Sequence, residues 1–305
     1  MKRVAISIGD LNGIGLQIAL EAHSEISKLC EPIYIIDRDM LEQGSQLLEI
    51  EIPDSFKTAK SRVGSNFTIE AGKESKEAGL YSFHSFAIAV DMAKNGEVDS
   101  IVTLPVNKQS WELGGVDYKG HTDALRDIFK KDAIMLMGNE NMFVALYTEH
   151  IPYSQVSEYI QRDKIAKFLL NLQNSLDLKD EKISVLGLNP HSGDGGVLGY
   201  DEVEIEAGIK LANSKIGKSI FEGATVPDIA FTPRMREKYR YFVAMYHDQG
   251  LIPLKALYFD ESINISLNLP IKRVSVDHGT AFDIAYKQKS INLISYINAV
   301  KYAVR

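Results

Sequence analysis

Five of the seven histidines stand beside Gly, Pro, Asp or Thr, the company that loops keep. They are His121 in "KGHTD", His150 in "TEHIP", His191 in "NPHSG", His247 in "YHDQG" and His278 in "VDHGT". Neutral imidazole is the commonest nitrogen ligand of Zn²⁺ and its neighbours, and three imidazoles that leave one position open make a catalytic metal site. His150, His191 and His247 each follow a strand-like run directly, so they are candidates for such a triad, converging at one sheet edge or contributed by two subunits. The competing reading has each histidine cap its own loop by bonding backbone groups, and no HExxH motif or cysteine pair decides between them. His23 in "LEAHSEI" and His84 in "YSFHSFA" lie on helix-like stretches and read as solvated or half-buried side chains.

The stretch "MYHDQG" ends an apolar run, residues 241–246, that reads as a buried strand. It delivers His247 and Asp248 together and then reads as turning on Gly250. Asp248 either orients a histidine that binds metal or holds the turn. Downstream come Lys255, Asn264, Lys272 and Arg273, and such cations bind phosphate or carboxylate through charge-assisted bonds, Arg often in bidentate fashion. An anionic substrate is the functional reading. Ordinary surface charge is the alternative for each residue alone, most of all for Lys272.

Two glycine-rich loops add candidate anion sites. In "GDLNGIGLQIAL", Gly13 and Gly15 open a helix whose free N–H groups favour an anion or a cofactor phosphate, although the spacing is not GxGxxG. "GDGGVLG" (193–199) reads G-x-G-x-x-x-G. It does not fit a Rossmann turn, because Asn189 to Ser192 separate it from its strand and no acidic residue ends a following strand roughly 20 residues on. Either loop also works as a tight turn without ligand.

Elements that alternate in type must position these residues. Strands are expected at Val4–Ile8, Ile33–Ile36, Ser100–Leu104, Ala133–Met137, Phe143–Tyr147, Ile183–Leu188, Asp228–Phe231 and Phe242–Tyr246. Helices are expected between them, among others at Ser82–Lys94, Ile165–Leu176 and Asp201–Ala212. This is the pattern of an α/β protein with parallel sheets covered by helices. Ligands then bind beyond the carboxyl ends of the strands. There lie "GDLNGIG", "PVNKQS", "TEHIP", "NPHSGDGGVLG" and "HDQG". At 305 residues the chain is long enough for two domains or one large α/β unit with a deep cleft.

With 45% hydrophobic and 25% charged residues the composition is that of an ordinary globular protein. A net charge of −7 with dispersed Lys and Arg offers no basic stripe, so no nucleic-acid partner is expected and an anionic substrate must be caught locally. The single cysteine, Cys30, cannot form an internal disulfide, and "MKRVAISIGD" lacks the apolar core of a signal peptide. No apolar run approaches the ~20 residues of a membrane span. The expected compartment is the cytoplasm, with no membrane partner.

Taken together, "SIGDLNGIG", "VTLPVNK", "GHTD", "LYTEHIP", "LGLNPHSGDGG", "AMYHDQGLIPLK" and "NISLNLPIKRVSVDHGTAFDIA" resemble the 4-hydroxythreonine-4-phosphate dehydrogenase family of pyridoxal phosphate biosynthesis, in that family's order and over almost the whole chain. The resemblance implies an isocitrate and isopropylmalate dehydrogenase-like fold. That fold has two α/β/α domains with mixed, mainly parallel sheets and a cleft between them, expected here at residues 1–125 plus 275–305 and 126–274. It implies one divalent ion per site (Zn, Mg or Co) on His150, His191 and His247, the last supplied by the partner subunit of a homodimer that shares its active sites. Substrate contacts carry over to His121, Thr122, Lys255, Asn264 and Arg273. The NAD or NADP loop carries over to His278, Gly279, Thr280 and Asp283, with Gly13 and Gly15 of the first glycine loop as further cofactor candidates. Lys255, Asp248 and a metal-bound water are the candidate proton acceptors.

The implied reaction oxidises the C3 hydroxyl of 4-phosphooxy-L-threonine to 2-amino-3-oxo-4-phosphooxybutanoate, which decarboxylates to 3-amino-2-oxopropyl phosphate. Departures from the family pattern sit at Leu11, Asn12, Leu16 and Gln17 in the first loop, at Val197 where histidine is frequent, and at Asp123 where Glu is usual. They bear on substrate preference. Competing readings are a dehydrogenase of threonate or erythronate phosphate, a phosphate acyltransferase-like protein of the same superfamily, and a homologue that keeps a pocket without activity.

Overall fold

The computed structural model describes residues 1–60, 67–178, 180–287 and 290–305. Its strands are, in chain order, β1 (Arg3–Ser7), β2 (Glu31–Ile35), β3 (Thr58–Ala59), β4 (Ser100–Thr103), β5 (Ile134–Asn139), β6 (Met142–Leu146), β7 (Ile183–Leu186), β8 (Phe221–Thr225), β9 (Tyr241–Ala244), β10 (Ile263–Leu267) and β11 (Arg273–Val276). Two compact units divide them: Met1–Lys131 with Leu269–Arg305, and Asp132–Asn268.

In the first unit the strand order is β3-β2-β1-β4-β11, and every pairing is parallel. Parallel strands under helices are buried on both faces and read as unbroken apolar runs. Val4–Ser7 and Ser100–Thr103 are accordingly buried throughout. Helix Gly15–Leu29 packs on helix Ile294–Ala303, and helix Lys76–Lys94 on β1 and β4. Trp111 fills the interior beside Phe86 and donates its indole N–H to Ser82 Oγ at 2.8 Å, which satisfies the one polar group it buries.

In the second unit the order is β10-β5-β6-β9-β7-β8. β10 and β6 flank β5 antiparallel, whereas β6 with β9, β9 with β7, and β7 with β8 are parallel. Met135, Val144, Phe242 and Leu254 belong to its core. Because β6, β9 and β7 are parallel neighbours, their carboxyl ends share one edge of the sheet. The segments carrying His150, His247 and His191 all leave from that edge.

Several expectations are corrected. Asp228–Phe231 is a turn, not a strand: Ala230 N–H donates to Pro227 O at 3.3 Å and Thr232 N–H to Ile229 O at 3.1 Å. Its apolar residues are there for side-chain burial, with Ala230 fully buried and Phe231 packed on Phe242. The strand of that region is β8, whose "FEGAT" lacks an apolar pattern. Helix 76–94 begins six residues before the expected Ser82, because the Ser75 side chain caps it by accepting from Ala78 N–H. His121 and His247 are the first residues of helices His121–Phe129 and His247–Tyr258 and do not lie in loops. Gly250 sits inside the latter helix, where a Cβ would come within 2.6 Å of Val144 Cγ1 and 2.9 Å of Ala244 Cβ. It allows helix and sheet to approach and makes no turn. His23 is buried, since Tyr34 OH at 3.0 Å and Ser55 Oγ at 2.9 Å occupy its two ring nitrogens. Among the described residues no helix is long and apolar enough to cross a membrane.

Candidate active site

The histidine-bearing edge of the second unit is tied together by side chains next to the histidines. Thr148 donates its hydroxyl to Met245 O at 2.6 Å, and Tyr147 N–H donates to Ala244 O at 2.9 Å, so β6 and β9 stay paired beyond their last residues. Gln249 accepts from Met245 N–H at 2.7 Å and donates to Gly187 O at 2.8 Å. One amide thus joins the end of β9 to the end of β7. Helix His247–Tyr258 starts straight from β9 with no side-chain cap on its first N–H groups.

His150 and His247 come together there, with ring centroids 5.6 Å apart and planes tilted by 42°. Imidazole nitrogens bind zinc at about 2.0–2.1 Å, which puts the centroids of two tetrahedrally bound rings roughly 5 Å apart, so this pair suits one ion. His247 Nδ1–H donates to Asp248 Oδ1 at 2.7 Å, which leaves Nε2 as the donor nitrogen in the carboxylate–histidine arrangement typical of metal ligands. The hydrogen bond is compatible with the orienting role open to Asp248. The pair lies within one chain, whereas the family resemblance assigns His247 to the neighbouring subunit. His191 is exposed on the loop after β7, and among the described residues no three His, Cys, Asp or Glu side chains group closely enough to hold an ion.

Lys255 lies on the same helix as Asp248, seven residues on, or about 10 Å along the axis. Its ammonium sits 5.6 Å from the Phe259 ring centroid. Asn264 on β10 pairs in register with Met137 and has a buried Oδ1 with no hydrogen-bond partner. A buried amide oxygen left so costs about 1–3 kcal/mol, which a polar ligand would recover.

Arg273, His121 and Thr122 belong to the first unit. Arg273 is buried and donates to Thr103 Oγ1 from Nε at 3.2 Å and from Nη2 at 2.7 Å. Burial pushes its pKa down to about 9, so the guanidinium stays charged at neutral pH inside protein. His121 stands edge-on to Phe86 and Trp111, with centroids at 4.7 and 5.3 Å. Burial first, and the Arg273 charge second, hold its pKa well below the usual 6.5. Its Nε2 is buried without a partner. A buried cation beside a neutral imidazole is what a phosphate or carboxylate requires, and Thr122 follows at the start of the same helix.

The cofactor candidates also lie in the first unit. Gly13 and Gly15 adjoin Ile14, whose N–H donates to Thr280 O at 3.1 Å, so the glycine-rich turn and the 277–283 loop meet. That carbonyl accepts from the Ile14 N–H just before the helix, in the region where the sequence suggests an anion. His278 Nδ1–H donates to Gly279 O at 3.2 Å, and its Nε2 is buried without a partner. Gly279 has open space beyond its Cα, and Asp283 is exposed. The open space beside Gly279 could admit a nucleotide, while the unpartnered His278 nitrogen is enclosed by protein.

The family model of the pyridoxal phosphate biosynthetic protein PdxA matches residues 28–303. The chain belongs to the PdxA family. It is 55% identical over 302 residues to 4-hydroxythreonine-4-phosphate dehydrogenase of Sulfurimonas denitrificans, covering 99% of this chain and 97% of the relative. It is 48% identical over 306 residues to the enzyme of that name from Campylobacter fetus, covering 100% and 98%. The crystal structure of 4-hydroxythreonine-4-phosphate dehydrogenase from Klebsiella pneumoniae superposes with a TM-score of 0.82 at 28% identity, covering 100% of each chain.

In this PdxA chain the residues that sequence reading passed over are Asp10, Thr148, Gln249 and Glu202, which hold loops in place. Their signal was adjacency to the glycine and histidine motifs, with no spacing of their own. Asp10, fully buried in "GDLNGIG", accepts from Asn12 N–H at 2.9 Å, and its Oδ2 is unpartnered. Burial above all, with the Glu74 charge, raises its pKa from 3.8 to about 6, against the Asn12 hydrogen bond that lowers it. The folded state therefore binds the extra proton between those values. Its stability is fully present below pH 3.8 and falls as pH rises through 6, by about 3 kcal/mol at 1.36 kcal/mol per unit. Asp10→Asn should raise the urea midpoint at pH 7.5 and leave it near wild type at pH 4. A variant less stable than wild type at pH 7.5 would contradict the raised pKa.

Proposed function

We propose that the chain is a 4-hydroxythreonine-4-phosphate dehydrogenase. It oxidises the C3 hydroxyl of 4-phosphooxy-L-threonine with NAD⁺ or NADP⁺, and the resulting 2-amino-3-oxo-4-phosphooxybutanoate loses CO₂ to leave 3-amino-2-oxopropyl phosphate. The observation that carries this reading is 55% identity over nearly all of both chains to a relative of that name.

Arg273 draws the substrate's anionic group by charge, and His121, neutral near pH 7, adds a hydrogen bond through Nε2. Thr122, Asn264 and Lys255 complete the substrate contacts. Gly13, Gly15, His278, Gly279, Thr280 and Asp283 receive the nicotinamide nucleotide. His150, His191 and His247 would hold a divalent ion, which supplies Lewis acidity for oxidising an alcohol and for losing CO₂ beside a ketone. Asp248, hydrogen-bonded to His247 Nδ1, leaves Nε2 as the nitrogen for the ion. Lys255 and a metal-bound water stay beside Asp248 as the candidates to take the hydroxyl proton.

The working form is a homodimer with shared active sites, in which the family resemblance has a second copy supply His247. Val197 in the His191 loop, Tyr200 and Val203 after it, Ile252 on the His247 helix and Phe259 at its end are exposed apolar side chains that a second copy would cover. The compartment is the cytoplasm, where small phosphorylated acids are metabolised.

The test is reduction of NAD⁺ or NADP⁺ over a panel of phosphorylated hydroxy acids, with and without chelator, alongside sedimentation of the same protein. The expected result is chelator-sensitive turnover with 4-phosphooxy-L-threonine by a dimer. Turnover with threonate or erythronate phosphate alone would replace the substrate, and full activity in a monomer would remove the shared site.

A further inference from the structure

The loop after β7 has an unusual backbone and one carboxylate at its centre. His191, Ser192, Gly193, Asp194 and Gly195 all have positive φ, at 50°, 52°, 75°, 45° and 64°. A non-glycine residue there costs roughly 1–2 kcal/mol, and His191, Ser192 and Asp194 are three such residues. Something must hold that conformation.

Glu202 lies in the first turn of helix Asp201–Ile216 and is 5% exposed. Its Oε1 accepts from Leu188 N–H at 2.8 Å and from Asn189 N–H at 2.7 Å. Its Oε2 accepts from Asn189 Nδ2 at 2.9 Å, and the same amide reaches Asp201 Oδ2 at 2.9 Å. On its other side the loop closes on it: a Cβ at Gly193 would stand 2.7 Å from Glu202 Oε2 and 2.7 Å from Gly199 O. The carboxylate thus meets the loop on both sides of His191, at 188–189 and at 193. A helix N-terminus favours negative charge at that position.

We infer that Glu202 is a positioning residue for His191: its buried carboxylate bonds the 188–189 flank of the left-handed turn, packs against Gly193 on the other, and so sets where the imidazole points. Glu202 acts through the loop and not as a ligand. The inference rests on His191 being a ligand, as proposed above.

Co²⁺ titration of the purified full-length protein, followed by visible d–d absorption, tests it without turnover. Outer partners of a ligand typically contribute 10–100-fold in metal affinity. Glu202→Ala should weaken Co²⁺ binding by at least tenfold and shift the bands of what binds. Glu202→Gln, which keeps one acceptor oxygen for Leu188 and Asn189, should recover most of the affinity and the wild-type spectrum, and it serves if the alanine variant fails to fold. A merely structural role would lower the melting temperature and leave affinity and spectrum of the folded protein unchanged, which overturns the inference. His191→Ala separates the two readings. If it loses Co²⁺ while Glu202→Ala binds like wild type, only the role of Glu202 fails. If His191→Ala binds like wild type, the ligand assignment fails and takes the role of Glu202 with it.

Discussion

His247→Ala is expected to fold like wild type, to lose Co²⁺ or Zn²⁺ binding, and to drop chelator-sensitive turnover by on the order of 10³-fold or more. The size follows from the several kcal/mol that a Lewis acid contributes to a charge-developing step, at about 1.4 kcal/mol per decade. The fold should survive because the side chain is 37% exposed and its one hydrogen bond is to the still more exposed Asp248. Surface changes of this kind usually alter stability by about 0.5 kcal/mol or less. Asp248→Asn keeps the ligand and removes the charge behind it, so a smaller loss, roughly 10–100-fold in metal affinity, is expected. If His247 only began its helix, His247→Ala would leave turnover unchanged in a metal-saturated assay. That outcome would defeat the ligand role.

Arg273→Ala should raise KM for the phosphorylated substrate by roughly 10–150-fold while leaving KM for NAD⁺ or NADP⁺ within about twofold. Hydrogen bonds to charged groups are worth about 1.5–3 kcal/mol, and 1.4 kcal/mol is tenfold. Arg273→Lys retains charge but not the fork that reaches Thr103 through two nitrogens, so it should recover only part of the affinity. Because Arg273 is buried, both variants will lose stability as well, and the substrate-specific KM is the quantity that separates binding from folding. An unchanged substrate KM in folded Arg273→Ala would remove Arg273 from the anion site.

The sequence made some of this readable for identifiable reasons. Buried parallel strands write themselves as apolar runs, so β1, β4, β6 and β9 were legible within a residue or two. Strand β8 was not, since "FEGAT" has neither alternation nor an apolar run, and the apolar "IAF" of the next turn imitated a strand. At His247, strand passes into helix with no intervening residues beyond Met245 and Tyr246. Local composition, with Gly250 as its breaker, therefore pointed to a turn where packing against Val144 needed a glycine in a helix. The histidines drew a chemical reading because imidazoles are scarce and three of them follow strands. Thr148, Gln249 and Glu202 were not, because their roles depend on partners such as Met245, Gly187 and Asn189 that the chain's order alone does not place beside them.

The order β6-β9-β7 in the second unit acts as a ruler. Neighbouring strands in a sheet stand about 4.8 Å apart whatever their side chains, so the origins of the three histidine arms are spaced by peptide hydrogen bonds. His247 grows from the middle rung, and His150 and His191 from the rungs on either side. Most substitutions within these strands leave the rungs in place. An insertion or bulge in β9, in contrast, would turn its end to the opposite face and re-aim His247 while all three histidines remained in the sequence. Length changes near the carboxyl ends of β6, β7 and β9 are therefore expected to displace His150, His191 and His247 more than conservative substitutions in the same buried strands do.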